Sequence, residues 1–238
     1  MALPQLTTPE YTIEVPSTGD EIKYRPFLVR EEKVLLIALE TKIESNINDA
    51  ICKIVHECTN GASGYQDSPL FDIEYLFLNI RAKSVGDVLD LQVTCPDDGE
   101  TQVEVQVGIE DIEVRMTEDH SPLIQLTEDI TLVMGYPTTK ISKHISDLKE
   151  DDSSTEATFK LIQACVQEVR DKDTVYGKAD MSDKELTEFF DSMTSSQLEQ
   201  VNEFFETMPK VRHEIKVKNP KTKKTSEVVL EGLADFFV

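Results

Sequence analysis

The segment Cys95-Pro96-Asp97-Asp98-Gly99 has the residue order of a zinc-binding turn. A zinc-ribbon turn reads Cys-Pro-x-Cys-Gly and presents two thiolates to the metal. Here Asp98 stands at the second thiolate position, and a hard carboxylate replaces sulfur poorly at a structural zinc site. No second cysteine pair follows, and the remaining candidate ligands are Cys52 and His56, one helical turn apart. We therefore predict a metal-free hairpin turn, with Cys95, Cys52 and His56 as weak candidates for a metal site.

No sequence motif indicates a catalytic centre. The four histidines lie in unrelated contexts: His56, His120, His144 and His213. The sequence contains no Gly-x-Ser-x-Gly turn, no His-Glu-x-x-His motif and no glycine-rich phosphate loop. Acidic pairs are uninformative in a chain that has 46 aspartate and glutamate residues. We predict a protein that is not an enzyme and that binds no cofactor.

A basic stretch near the C-terminal end is the clearest local charge pattern. Five lysines and no acidic residue lie between Glu214 and Glu227, in a chain whose formal net charge is -22. One interpretation is a solvated hairpin tip that resists edge pairing. The other is a docking patch for an acidic face of another subunit, where charge guides orientation more than it supplies affinity; DNA is the third choice. The candidate partner-binding lysines are Lys218, Lys221, Lys223 and Lys224.

The C-terminal residues are too apolar to remain in water. Leu233, Phe236, Phe237 and Val238 follow one another closely, so we expect them to pack either on the rest of the chain or on a neighbouring protein. Phe236 and Phe237 are therefore also candidate partner-binding residues.

The corner Arg25-Pro26-Phe27 is the best candidate for a group of structural residues that determines the shape of the protein. Pro26 restricts Arg25 to an extended backbone. Arg25 could then form an ion pair with an acidic residue of the following helix. The alternative is an ordinary junction between a strand and a helix.

The N-terminal part predicts a hairpin and three helices. Apolar and polar residues alternate in 11–15 and again in 22–24, on either side of turn residues. The first helix has the apolar body 34–39, and we expect it to be largely buried. Two further apolar stripes have helical spacing: Ile47, Ile51, Ile54, Val55 and Cys58, and then Ile73, Leu76, Phe77 and Ile80.

The remainder predicts strands in the middle and mostly helices near the end. Residues 89–95 and 103–107 alternate around the Cys95–Gly99 turn, and 112–116 and 130–134 are further strand candidates. Phe159, Ile162, Val166 and Val169 have helical spacing, and two capping boxes follow, Ser182 with Glu185 and Thr194 with Gln197. A last hairpin surrounds 218–224.

These patterns predict an α+β protein of helical layers with antiparallel β-hairpins and no parallel sheet. The polar, charged stretch 149–154 is the best linker candidate. It divides the chain into an N-terminal α+β region, 1–148, and a C-terminal helical region with a terminal hairpin, 155–238.

Composition limits the class of protein. The 24 lysines and arginines are far outnumbered by 46 acidic residues, which disfavours general nucleic-acid binding. No apolar run approaches the about 18 residues of a membrane span, and we expect no signal peptide, because the first residues lack a basic start and an apolar stretch. We expect synthesis in the cytoplasm and four reduced cysteines, with Cys52, Cys58 and Cys165 as small core residues.

Several stretches resemble one protein family over nearly the whole chain. They are 24–33, 71–78, 80–86, 204–209 and 230–237. In these stretches, and in the order of its elements, the sequence resembles the baseplate protein family of T-even-type contractile-tailed phages.

The resemblance implies a structural protein of the baseplate hub at the tail tip, or a hub assembly factor. Its partners would be other hub or tail proteins in a hetero-oligomeric assembly, and its location the virion tail, after synthesis in the host cytoplasm. One alternative is a hub assembly chaperone that is absent from the mature virion. A second is a small zinc-dependent adaptor or enzyme.

Overall fold

The computed structural model describes residues 6–64, 66–148 and 154–236. Along the chain the helices and strands are β1 (Tyr11–Glu14), β2 (Glu21–Tyr24), α1 (Val29–Thr41), α2 (Glu44–Cys58), α3 (Leu70–Val85), β3 (Val88–Thr94), β4 (Gln102–Gly108), β5 (Glu113–Arg115), β6 (Leu123–Gln125), β7 (Ile130–Met134), α4 (Thr139–Leu148), α5 (Ser154–Ala164), β8 (Val166–Asp171), β9 (Thr174–Gly177), α6 (Asp183–Asp191), α7 (Ser195–Thr207), β10 (Lys210–Lys218), β11 (Thr225–Glu231) and α8 (Gly232–Asp235).

Every strand pairing within these described ranges is antiparallel. β1 pairs with β2 and β3 with β4, and two larger sheets have the orders β11-β10-β5 and β6-β7-β8-β9. The predicted α+β class without a parallel sheet is therefore confirmed. Both predicted capping boxes are also present, because the Ser182 and Thr194 hydroxyls accept the backbone N–H groups of Glu185 and Gln197.

The chain forms two units that do not follow the predicted division. One contains the described residues within 1–115 and 210–238, and the other those within 116–209. The predicted boundary at 148–155 falls inside the second unit, because β7, before this segment, pairs with β8, after it. Residues 149–153 themselves lie outside the described ranges. The C-terminal hairpin joins the first unit because β10 pairs with β5, with Val211 opposite Val114.

The core of the first unit is built from α2, α3 and the inward faces of its strands. Alternate residues of β3 are buried, which is the pattern of a strand with one covered face. The largest fully buried side chains of this unit are Ile54, Val55, Leu76, Phe77, Leu78, Ile80, Leu89, Val107 and Phe236. The predicted apolar stripes of the second and third helices thus face the interior.

The prediction that the first helix is largely buried was wrong. Val34, Leu36 and Ile37 are 43%, 53% and 63% exposed, and only Glu31 and Ala38 of α1 are buried. The reason is that α1 packs mainly against α2, so a single face is covered. A helix with apolar residues all round its surface needs partners on more than one side.

The second unit differs most from the sequence-based prediction. The helical spacing predicts Val166 and Val169 on a helix, but α5 ends at Ala164 and both valines belong to β8. Val169 lies opposite Leu132 of β7. Residues three apart share a face of a helix but lie on opposite faces of a strand, so the spacing by itself favours a helix. The β-branched valines favour the strand once a partner strand is available. The short strands β6 and β9 and helix α4 were not predicted.

The core of the second unit lies between its sheet and its helices. The buried cluster contains Ile124, Leu132, Met134, Ile162, Cys165, Val166, Leu186, Phe190, Val201 and Phe204. The side chains of the strands thus meet those of α5, α6 and α7. Cys165 is buried here as expected for a small core residue.

Glu74 of α3 lies under the C-terminal helix α8. The Leu233 backbone N–H donates to its Oε1 atom at 3.4 Å, and a side chain at Gly232 would place its Cβ atom 3.5 Å from the same oxygen. Burial raises the pKa of Glu74 to about 7, and the nearby negative charge of Glu231 acts in the same direction. The Leu233 N–H lowers it only in part.

We expect Glu74→Gln to stabilise the protein at neutral pH. The carboxyl pKa is about 7 in the folded chain against 4.5 unfolded, so ionisation costs folded-state stability as pH rises from 4.5 to 7. The variant should equal the wild type near pH 4 and be more stable by about 3 kcal/mol at pH 8, measured by urea unfolding. The exposed Glu199→Gln serves as the control. A constant difference across this pH range would contradict the assignment.

Candidate protein-contact surfaces

The Arg25-Pro26-Phe27 corner is fixed by a buried ion pair. The Arg25 guanidinium lies 3.0 Å from Glu31 Oε1, and both side chains are almost fully covered. The predicted pairing of Arg25 with an acid of the next helix is therefore present. Arg25 also donates to the carbonyl oxygens of Pro26 and Glu57, at 3.0 and 3.4 Å, which joins the corner to the end of α2.

Glu31 caps the start of α1 from inside that helix. Its Oε2 atom accepts the Leu28 backbone N–H at 2.7 Å, and its Oε1 atom accepts from Arg30 at 2.6 Å. Burial alone would raise the pKa of Glu31, but the hydrogen bonds from Arg30, Arg25 and Leu28 lower it. On the other side of the corner, the Phe27 N–H donates to Ser84 Oγ at 3.0 Å. The corner thus connects α1, α2 and α3.

The turn at Cys95–Gly99 is organised by hydrogen bonds to its acidic residues. Asp98 accepts the Thr101 hydroxyl at 2.6 Å and the backbone N–H groups of Thr101 and Glu100 at 3.0 and 3.1 Å. These donors, together with Asn219, hold the pKa of Asp98 far below its usual value. The carboxylate at the second position of the zinc-like turn therefore closes the turn by accepting hydrogen bonds.

The candidate metal ligands are not brought together. Within the described ranges no group of three or more histidine, cysteine, aspartate or glutamate side chains has a metal-binding arrangement. Cys52 and Cys95 are both buried, and His56 is one turn beyond Cys52 on α2. Burial and the Asp97 and Asp98 charges raise the pKa of the Cys95 thiol, which opposes the thiolate form that zinc requires.

Asn219 joins the tips of two hairpins. It is buried, and its Nδ2 atom donates to Asp97 Oδ1 and to Asp98 Oδ2, each at 2.9 Å. The Thr222 hydroxyl donates to Asp97 as well. Together with Asn219, this bond lowers the pKa of Asp97. The tip of the β10–β11 hairpin is thereby attached to the β3–β4 turn.

The same asparagine also shapes its own loop. Its Oδ1 atom accepts the backbone N–H groups of Lys221 and Thr222 at 2.8 and 3.2 Å, an Asx turn. Its own backbone pairs with Lys223 and Lys224, at 3.0 and 2.9 Å. Asn219 was missed as a functional residue, although Asn-Pro at the start of a turn is the signal of a side chain that bonds to the following backbone.

The lysines of this loop point outward. Lys218, Lys221, Lys223 and Lys224 are exposed, and no ion pair involving them is found among the residues that the structure describes. Lys216 pairs with Glu227 at 3.4 Å. Lys223 has a left-handed backbone, with a φ angle of 65°. We define these four unpaired lysines as the basic tip, a cluster of positive charge on a loop whose backbone is fixed by Asn219.

Of the two C-terminal phenylalanines, Phe236 lies within the residues that the structure describes and Phe237 lies outside them. Phe236 is 1% exposed and Leu233 is 8% exposed, so this part of the apolar end packs on the chain itself, one of the two expected outcomes. The predicted partner-binding surface at Phe236 is therefore not available at the surface of the folded chain. Phe237 and Val238 lie outside the described residues.

His120 is engaged on both ring nitrogens within the second unit. Nδ1 is 3.0 Å from the Thr207 hydroxyl and Nε2 is 3.2 Å from the Tyr136 hydroxyl. The ring also packs against Tyr136 and Phe204. Burial lowers the pKa of His120 and so favours its neutral form. This arrangement connects α7 with the chain after β7 and is typical of a structural histidine.

Comparison with protein-family models finds a match over nearly the whole chain. A family model described as "T4 bacteriophage base plate protein" matches residues 8–238. No curated protein and no solved structure matches the chain. In the part of the chain that the structure describes, no helix combines the length and hydrophobicity required to cross a bilayer.

Asn219→Ala should loosen the basic tip. The change removes two side-chain donors and one acceptor from a buried position, so we expect a loss of about 2 kcal/mol in the free energy of unfolding. Hydrogen exchange of the backbone N–H groups at 221–224 should become faster than in the wild type. Thr225→Ala, at an exposed position of β11, is the matched control. Unchanged exchange at 221–224 would show that the loop does not depend on Asn219.

Proposed function

This chain belongs to the family of T4 bacteriophage base plate proteins, and we propose that it acts in the hub of the tail baseplate as a structural or assembly protein. The match to the family covers 8–238 and carries this proposal. The chain would work through contacts with other hub or tail proteins and would need no reactive centre. It would be made in the host cytoplasm and become part of the virion tail.

The basic tip is the surface that we propose for docking to a neighbouring subunit. Its four lysines are exposed at the end of a hairpin, and hydrogen bonds from Asn219 and Thr222 to Asp97 and Asp98 hold its backbone. A held loop loses less conformational entropy on binding than a free one. The partner surface would be acidic, because positive charge on a chain of net charge -22 guides an acidic face to this position.

The Arg25-Pro26-Phe27 corner would support this role by fixing the framework. Its buried ion pair and its bond to Ser84 hold three helices of the first unit in place. A subunit that is recognised by its shape requires such fixed junctions, since an interface forms best between preorganised surfaces. We propose that Arg25, Pro26 and Phe27 are structural residues in this sense.

A resident subunit should be present in purified virions in a constant amount relative to other tail proteins. Quantitative mass spectrometry of purified particles and of isolated baseplates measures this ratio. We expect a stoichiometric signal in both. Absence from mature particles, together with recovery of the protein bound to hub proteins in infected cells, would instead identify an assembly chaperone.

Charge reversal of the basic tip should weaken assembly and leave the fold intact. For the triple variant Lys221→Glu, Lys223→Glu and Lys224→Glu, we expect about tenfold lower recovery of hub proteins with the tagged chain. The melting temperature should be nearly unchanged, because exposed loop charges rarely shift stability by more than about 0.5 kcal/mol.

The matched control reverses three exposed lysines of other elements, Lys53, Lys140 and Lys184, and therefore changes the net charge by the same amount. Equal loss of recovery in both triple variants would indicate a general charge effect. Full recovery with the basic-tip variant would exclude this docking patch.

A further inference from the structure

Helix α1 carries apolar side chains on the face that α2 leaves uncovered. Val29, Leu36 and Ile37 are all exposed by half or more. With 3.6 residues per turn, 29, 33, 36, 37 and 40 lie on one side of a helix. Along the helix axis Leu36 and Ile37 lie in the middle of that side, with Lys33 about one turn before them and Glu40 about one turn after them, and all four side chains are exposed. We call this set the α1 face.

The order of charges on the α1 face is self-complementary. Lys33 comes three residues before Leu36, and Glu40 comes three residues after Ile37. A two-fold axis between Leu36 and Ile37 would align two copies of the helix in opposite directions. Each Lys33 would then lie beside Glu40 of the second copy, and each Leu36 beside Ile37 of the second copy. Such an isologous contact needs one patch that matches itself.

The charge balance of the α1 face favours a second copy over a strongly charged partner. One lysine and one glutamate cancel, so the face has no strong preference for an acidic or a basic surface, in contrast to the basic tip. Two chains of net charge -22 repel each other at long range. This repulsion is screened over about 8 Å at physiological ionic strength, and oppositely charged pairs at the contact would offset it locally.

We propose that the chain forms a two-fold symmetric dimer through antiparallel α1 helices, with Leu36 against Ile37 and Lys33 beside Glu40 of the second copy. The helix has 13 residues, and the contact is smaller than a standard interface. The dimer is therefore weak, with dissociation in the micromolar range. This proposal is independent of the role of the basic tip and of the position in the hub.

Sedimentation of four full-length chains tests both the dimer and its register. The chains are the wild type, Lys33→Glu, Glu40→Lys and the double variant that carries both changes. Each single change places like charges opposite each other twice per dimer and should weaken association about tenfold. The double variant exchanges the two charges and should recover wild-type association.

The single variants change the net charge in opposite directions, and the double variant leaves it at the wild-type value. An effect of overall charge would therefore strengthen association in Glu40→Lys, whereas the proposed contact weakens it. Association in Glu40→Lys equal to or tighter than in the wild type would overturn the proposal. Failure of the double variant to recover would do the same.

Ile37→Asp tests the apolar centre. It should abolish the dimer and leave the circular dichroism spectrum unchanged, because the position is exposed. Val175→Asp adds the same charge at a comparably exposed valine of the second unit and should dimerise as the wild type does. A wild-type chain that remains monomeric at about 100 µM would overturn the proposal. If the wild type is monomeric and Ile37→Asp also lowers the recovery of hub proteins with the tagged chain, the α1 face would bind a different partner.

Discussion

The antiparallel pairing of β10 with β5 is the contact on which the first unit depends. It joins residues that are about a hundred positions apart, and it places Val211 opposite Val114 and Lys210 opposite Arg115. Loop closure of this length has an entropic cost that rises only slowly with the number of residues. Once the pairing forms, the C-terminal hairpin lies beside the β3–β4 turn, and α8 lies on Glu74. The Asn219 contacts and the buried Phe236 are both consequences of it.

The β3–β4 turn shows how hydrogen bonds hold a turn whose residue order is typical of zinc sites. A structural zinc would hold two loops together through thiolates. Here Asp97 and Asp98 accept hydrogen bonds from Asn219 and Thr222, and Asp98 also accepts three bonds within its own turn. Bonds to ionised acceptors are stronger than bonds between neutral groups. The two hairpin tips are thus joined by contacts that need neither a metal nor a low thiol pKa.

The first unit presents two surfaces of different chemistry, the basic tip and the α1 face. The basic tip carries exposed positive charge on a chain that is otherwise strongly acidic, which suits recognition by charge and orientation. The α1 face carries apolar side chains with balanced charge, which suits association through shape and burial. A family of baseplate proteins works inside a larger assembly. Surfaces of different chemistry allow one subunit to meet different neighbours without competition.

The sequence alone determined the elements whose periodicity is unambiguous: the hairpins at 11–24, 88–108 and 210–231, the stripes of α2 and α3, and both capping boxes. It also indicated the pairing of Arg25 with the following helix, because the two residues are close in the chain. Local sequence could not decide β8, since Val166 and Val169 fit a helix until β7 supplies a partner strand. Nor could it show that α1 is half uncovered, that Phe236 is internal, or that Asn219 joins two hairpin tips. Those features depend on which distant segments meet, and only tertiary packing determines that, because the free energy of burial and of long-range hydrogen bonds is shared between segments that are far apart in the chain.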